Sequence, residues 1–178
     1  GFRATSIVAD LASAAAVAAI PLIESTVGIE LWQLFALVFL GALLDAPGAK
    51  LGIVTCGKSY MDVRQALQYL GIDEAEAKRL GVRVYKVGMT FPLEPRGAVA
   101  FAQGLERIIV VEEKRALIEW QLKEALYGQP SAPRIIGKQD ERGALLFQSN
   151  GALDPNHIAV EIGRRIELTS GAITTAVD

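Results

Sequence analysis

The chain has 178 residues, 51% of them hydrophobic and 21% charged, a composition that excludes intrinsic disorder for its bulk and allows a hydrophobic core without staples. Its 18 Lys and Arg stand against 20 Asp and Glu, so no basic excess is available to neutralise phosphates, and nucleic acid is not an expected partner. A single cysteine, Cys56, and a single histidine, His157, exclude an intramolecular disulfide, a four-cysteine zinc or iron–sulfur site and any two-histidine metal site within this chain.

Residues 1–46 read as an apolar helical arm, compatible with the end of a preceding domain. Its two uncharged stretches, 11–23 and 31–44, fall short of the roughly 18–20 residues that cross a bilayer, so both are expected as buried helices with no membrane span. No basic segment followed by an apolar run and a cleavage site opens the chain, and a cytoplasmic location is expected. Residues 30–45 are hydrophobic on every face, and such a helix must be covered all round. The remainder of the chain is too small to cover it, so a second protomer or further domains are expected to do so.

From 47 to 168 the pattern alternates between strand and helix. Residues 51–56 (LGIVTC) form a short β-branched apolar run, the signature of a buried parallel strand. A helix over 60–70 follows, with Val63, Ala66, Leu67 and Leu70 on one stripe, and Ser59-x-x-Asp62 reads as its capping box. Asp73 caps a second short helix that Gly81 closes. Strands are expected over 82–87 and 107–112, with a small helix between them that Pro95 opens and Gly104 closes. Residues 114–127 form a helix with Ile118, Leu122 and Ala125 on one face and a Glu119–Lys123 pair. Residues 134–137 make a fourth strand and 139–154 an irregular polar loop; Asp154-Pro155 starts the last helix. Residues 169–178 read as a mobile tail. Trp32 and Trp120 are expected to pack, Arg164 and Arg165 to form a solvated face, and His157, four residues before Glu161, to be solvated or ion-paired at the surface. The expected fold is therefore α/β: a small parallel sheet with right-handed crossovers and helices on both faces. Its working loops lie at the carboxyl ends of the strands, at 55–59, 88–91 and 112–114.

One motif competes with this reading. Gly52 to Ser59 fits G-x-x-x-x-G-K-[ST], and Arg107 to Glu113 is an apolar strand ending in acids, so a P-loop-like nucleotide hydrolase using Lys58, Ser59 and Glu112 is the alternative. Against it, a P-loop begins after its strand, whereas Ile53, Val54 and Thr55 favour extended backbone from the first glycine onward. Cys56 is a nucleophile candidate with no histidine near it in sequence, which favours a buried small residue at a strand end. Glu112, Glu113 and Lys58 read either as an acid–base cluster or, more simply, as an ion pair at a domain boundary.

The residues 51–67 (LGIVTCGKSYMDVRQAL), 80–95 (LGVRVYKVGMTFPLEP) and 108–127 (IIVVEEKRALIEWQLKEALY), with Arg134-Ile-Ile-Gly-Lys138 after them, resemble the indolepyruvate ferredoxin oxidoreductases in three blocks in order. The resemblance covers about 46–166. It implies a transketolase C-terminal-like α/β domain of a thiamine-diphosphate enzyme that oxidatively decarboxylates an arylpyruvate. Mg²⁺, iron–sulfur clusters, coenzyme A and ferredoxin are implied for the full enzyme. This chain has no Gly-Asp-Gly segment for a Mg²⁺–diphosphate and no cysteine set for a cluster. No catalytic, cofactor or metal residue is therefore carried over, and the chain alone is expected to be inactive. Gly57, Lys58, Ser59 and Glu113 are expected to face a neighbouring domain or subunit. A third reading is an adaptor that binds protein through the apolar arm.

Overall fold

The computed structural model describes residues 46–170; the expectations for the apolar arm, including Trp32, and for residues beyond 170 lie outside the described residues. The elements are β1 (Leu51–Cys56), α1 (Ser59–Tyr69), α2 (Glu74–Leu80), β2 (Val82–Val87), α3 (Pro95–Ala102), β3 (Arg107–Val111), α4 (Leu117–Ala125), β4 (Arg134–Ile136) and α5 (Pro155–Ser170). The four strands form one parallel sheet in the order β2-β1-β3-β4. Leu51 is level with Val82 on one side and Arg107 on the other. This is the small parallel α/β sheet expected from the alternation.

Strand side chains alternate between the two faces, and each face has its own core. Leu51, Ile53, Val84, Ile109 and Val111 pack under α1 and α5 through Val63, Leu67, Ile158 and Ile162. Val54, Tyr85, Ile108 and Val110 pack under α3 and α4 through Phe101, Ile118 and Leu122, with Leu105 joining from the turn after α3. Tyr85 stacks on Phe101 with ring centroids 5.1 Å apart. The central strand β1 is buried along Leu51 to Thr55, which is why its run is continuously apolar rather than alternating.

Several local signals act as their chemistry dictates. The Asp73 carboxylate accepts from the Glu76 N–H at 2.8 Å, and Gly81 takes φ 68° to end α2. The Asp154 carboxylate accepts from the Asn156 N–H at 2.9 Å as α5 starts. Four expectations are corrected. Ser59 does not cap α1: the turn at Gly57, φ +50°, sends the chain into helical geometry already at Lys58, so Ser59 lacks the extended backbone a cap needs. The helix expected over 114–127 starts only at Leu117, because Lys114 takes φ 54° and the first turn is held by a residue before it. Helix α5 continues through Thr169 and Ser170, which the sequence places in the tail. Its last turn is anchored by Ile166, 1% exposed, and by the Thr169 hydroxyl donating to the Arg165 carbonyl at 2.8 Å. Trp120 is 60% exposed, since Ile118 and Leu122 form the buried stripe of α4 and Trp120 lies midway between them on the opposite face.

Candidate functional site

In the order β2-β1-β3-β4 the chain leaves β1 for one side and then crosses back over it to β3. The two connections depart in opposite directions, which opens a crevice at the carboxyl ends of β1 and β3, the place where open parallel sheets put their ligands and interfaces. A cleft of about 820 Å³ lies there, lined by Cys56, Gly57, Lys58 and Ser59 after β1, Thr90 after β2, and Glu112, Glu113 and Lys114 after β3. The expected edge residues Gly57, Lys58, Ser59 and Glu113 are thus brought together.

Lys58 Nζ donates to both Asp62 oxygens at 2.9 and 2.8 Å and lies 3.6 Å from Glu113 Oε1. The Asp62 hydrogen bond, ahead of the nearby charge of Glu113, raises the Lys58 ammonium above its ordinary value, so it stays protonated at neutral pH. Glu112 is 4% exposed, and its carboxylate accepts from the backbone N–H groups of Leu117, Ile118 and Glu119 at 3.1, 2.9 and 3.1 Å. It therefore caps α4 from outside the helix. Burial pushes its carboxyl up, against the pull of the Ile118 and Glu119 N–H groups. Burial, then the charges of Glu112 and Glu113, push the Cys56 thiol up as well. A thiol held protonated is a poor nucleophile. Its alkylation by iodoacetamide is expected to be slow at neutral pH and to rise only toward alkaline pH. Fast neutral alkylation, read by mass spectrometry, would refute this.

Two residues that the sequence reading did not single out organise this edge. Lys138 donates to the Glu112 carbonyl at 2.6 Å and to the Gln148 carbonyl at 3.1 Å, tying the end of β3 to the 139–154 loop. Gln121 accepts from the Leu93 N–H at 2.8 Å and donates to the Thr90 carbonyl at 2.9 Å, fastening the loop after β2 to α4. The only signal for Lys138 is its place after Gly137. A Cβ at Gly137 would collide with the Glu119 carboxylate, which accepts from the Lys138 N–H at 2.8 Å.

The P-loop alternative is overturned. Gly52 to Cys56 belongs to strand β1, paired on both sides through Thr55 and with β2 at Cys56, so its amide groups are engaged in the ladder rather than turned toward a phosphate. Gly52 is there for packing: a Cβ would lie 2.6 Å from Leu105 and 2.9 Å from Phe101. Gly52→Ala is expected to cost about 1–3 kcal/mol in urea unfolding through overpacking; a neutral effect would disprove the packing role. Glu112 holds a helix end and Lys58 is engaged by two carboxylates, so neither stands as the reading required. His157 lies on α5 at the surface, 3.8 Å from Glu161 and edge-on to Phe147 at 5.7 Å, and does not line the cleft. Arg165, expected on a solvated face, is 5% exposed and held by Glu141 and Glu161.

The fold and this edge define a small parallel α/β domain whose crevice carries the Lys58–Glu113 pair, the buried Glu112 carboxylate and a Cys56 thiol whose titration is pushed up. Residues 42–177 match the model of the indolepyruvate oxidoreductase domain, and the chain belongs to that family. Over 91 residues, 51% of this chain, it is 40% identical to indolepyruvate oxidoreductase subunit IorA of Pyrococcus abyssi (strain GE5 / Orsay). The corresponding figure is 42% for that of Pyrococcus horikoshii, and the matched stretch is 13% of each relative's length. Among solved structures, the chain is similar to 2-oxoglutarate:ferredoxin oxidoreductase from Magnetococcus marinus, at TM-score 0.46 and 20% identity over 75% of this chain and 21% of that one. It is also similar to an inactive β4 tetramer of a split-gene transketolase, at TM-score 0.46 and 18% identity over 68% of this chain and 40% of that one.

Proposed function

We propose that this chain is the non-catalytic α/β domain of a thiamine-diphosphate-dependent indolepyruvate:ferredoxin oxidoreductase, and that it works in domain and subunit assembly. The full enzyme would convert an arylpyruvate to its acyl-CoA and pass electrons through iron–sulfur clusters to ferredoxin, in the cytoplasm and as a homo-oligomer. The residues of this chain do not supply a ligand set for the iron–sulfur clusters, nor the described residues one for a metal ion. One cysteine cannot ligate a cluster, and among the described residues no group of three or more His, Cys, Asp or Glu is placed to hold a metal ion. No step of the reaction is assigned to this chain.

The observation that carries the assembly reading is the surface beside the Lys58–Glu113 pair. Met89 and Phe91, on the loop after β2, are 43% and 65% exposed; Leu117 and Trp120, on α4, are 39% and 60% exposed. Gln121 ties those two segments together. Large apolar side chains held in ordered positions at a switch-point edge are what a domain interface requires. In the complete oxidoreductase, the double substitution Phe91→Ser/Trp120→Ser is expected to loosen assembly in sedimentation velocity, while the melting temperature of the 178-residue chain stays the same. An unchanged assembly would refute the interface, and turnover of indolepyruvate with ferredoxin and coenzyme A by this chain alone would refute the non-catalytic assignment.

A further inference from the structure

A second cleft, of about 530 Å³, lies away from the carboxyl edge, between the starts of β3 and β4, the turn after Gln139 and α5. Five arginines line it and only three carboxylates, Asp140, Glu141 and Glu161. In a chain whose overall charge is −2, this is a local excess of positive charge in a concave site.

The carboxylates are already committed. Asp140 accepts from the N–H groups of Arg142 and Ala144 in its own turn, at 2.8 Å each. Glu141 is shared between Arg107 at 3.1 Å and Arg165 at 3.0 Å. Glu161 is shared between Arg164 at 2.8 Å and Arg165. Three buried guanidinium N–H groups, at Arg107 Nε and Nη1 and at Arg165 Nε, make no hydrogen bond among the described residues, and neither does Glu141 Oε1, which only ion-pairs with Arg107 Nε; the Arg165 side chain is only 6% exposed. Arg134 and Arg142 complete the lining from exposed positions. Leu145 and Leu168, 75% and 69% exposed, form apolar parts of the same wall.

Burying guanidinium groups is costly unless their donors are met and their charge balanced. Glu141 and Glu161 balance the enclosed Arg107 and Arg165, so the excess of positive charge lies in the exposed Arg134, Arg142 and Arg164 on the rim of the cleft. Guanidinium forks match the oxygens of phosphate, and several of them in one concave site make an oxyanion receptor. We propose that this cleft binds an oxyanion of the phosphate class, a phosphomonoester or diphosphate carried on an organic body that lies against Leu145 and Leu168. This site is independent of the assembly surface at the opposite strand ends.

The test is isothermal titration of the 178-residue chain with inorganic phosphate and with pyrophosphate, against sodium chloride at matched ionic strength. Saturable binding of pyrophosphate is expected. It should weaken at least about tenfold in the Arg134→Gln/Arg142→Gln variant, whose exposed positions leave the fold intact by circular dichroism. The inference is overturned if neither anion gives a saturable heat at millimolar concentration. It is equally overturned if the double variant binds as well as the parent, or if a glutamate-rich peptide saturates the site and pyrophosphate does not.

Discussion

Phe147→Ala is expected to destabilise the chain by about 3–5 kcal/mol, the usual cost of emptying a fully buried aromatic position. Phe147 is 0% exposed and heads the largest fully buried side chains. It belongs to the same core as Ile53 and Ile109 of the sheet and Ile158 and Ile162 of α5. Its neighbours cannot close the gap cheaply, because the sheet is fixed by parallel pairing and α5 by its own packing. Against a typical domain stability of about 5–15 kcal/mol, the loss is a large fraction of the total. Urea unfolding should show a lower midpoint with an unchanged slope. A loss below about 1 kcal/mol would mean that the 139–154 loop does not seal this core.

Glu112→Ala should cost about 2–4 kcal/mol, since it strands three backbone donors at the start of α4, two of them on buried residues. The consequence reaches the crevice, because α4 carries the Gln121 amide that fastens the loop after β2. Were Glu112 instead a metal-holding acid, its loss would leave stability nearly unchanged, so the measurement separates the two roles. The pH dependence has a definite sign. Burial raises the folded carboxyl above its ordinary 4.5, so the folded state holds this proton more tightly than the unfolded chain does. The contribution is full below 4.5 and is lost as pH rises through the raised value. Glu112→Gln, which cannot titrate, should therefore show a flatter fall of stability with pH in that window. A steeper fall would reverse the assignment.

Much of the fold was legible because its signals are local. The β-branched run Ile53-Val54-Thr55 specifies extended backbone within three residues, and that alone argued against a phosphate loop despite the literal motif. Asp73, Gly81 and Asp154 act on backbone groups a few positions away. The edge residues Lys58 and Glu113 could be paired in advance because adjacent parallel strands end side by side. Where local reading went wrong, a neighbouring residue's backbone turn or helix face had overridden the residue's own signal. Ser59 looked like a cap because its spacing from Asp62 fits one, but the left-handed turn at Gly57 starts the helix earlier. Trp120 was expected to pack because tryptophan usually does, whereas the face of α4 toward the sheet was already set by Ile118 and Leu122.

By itself, then, the order of residues determined the class of fold, the succession of strands and helices, most helix ends and the family resemblance. Only the tertiary structure decided that Phe147, set in a polar-looking loop, closes a core, that Glu112 serves as a helix cap, and that Arg165 is buried among acids up to 24 positions away. Periodicity and capping act over one or two turns of backbone, and so can be read along the chain. Burial and charge balance depend on which segments the parallel sheet brings together, and no local spacing records that.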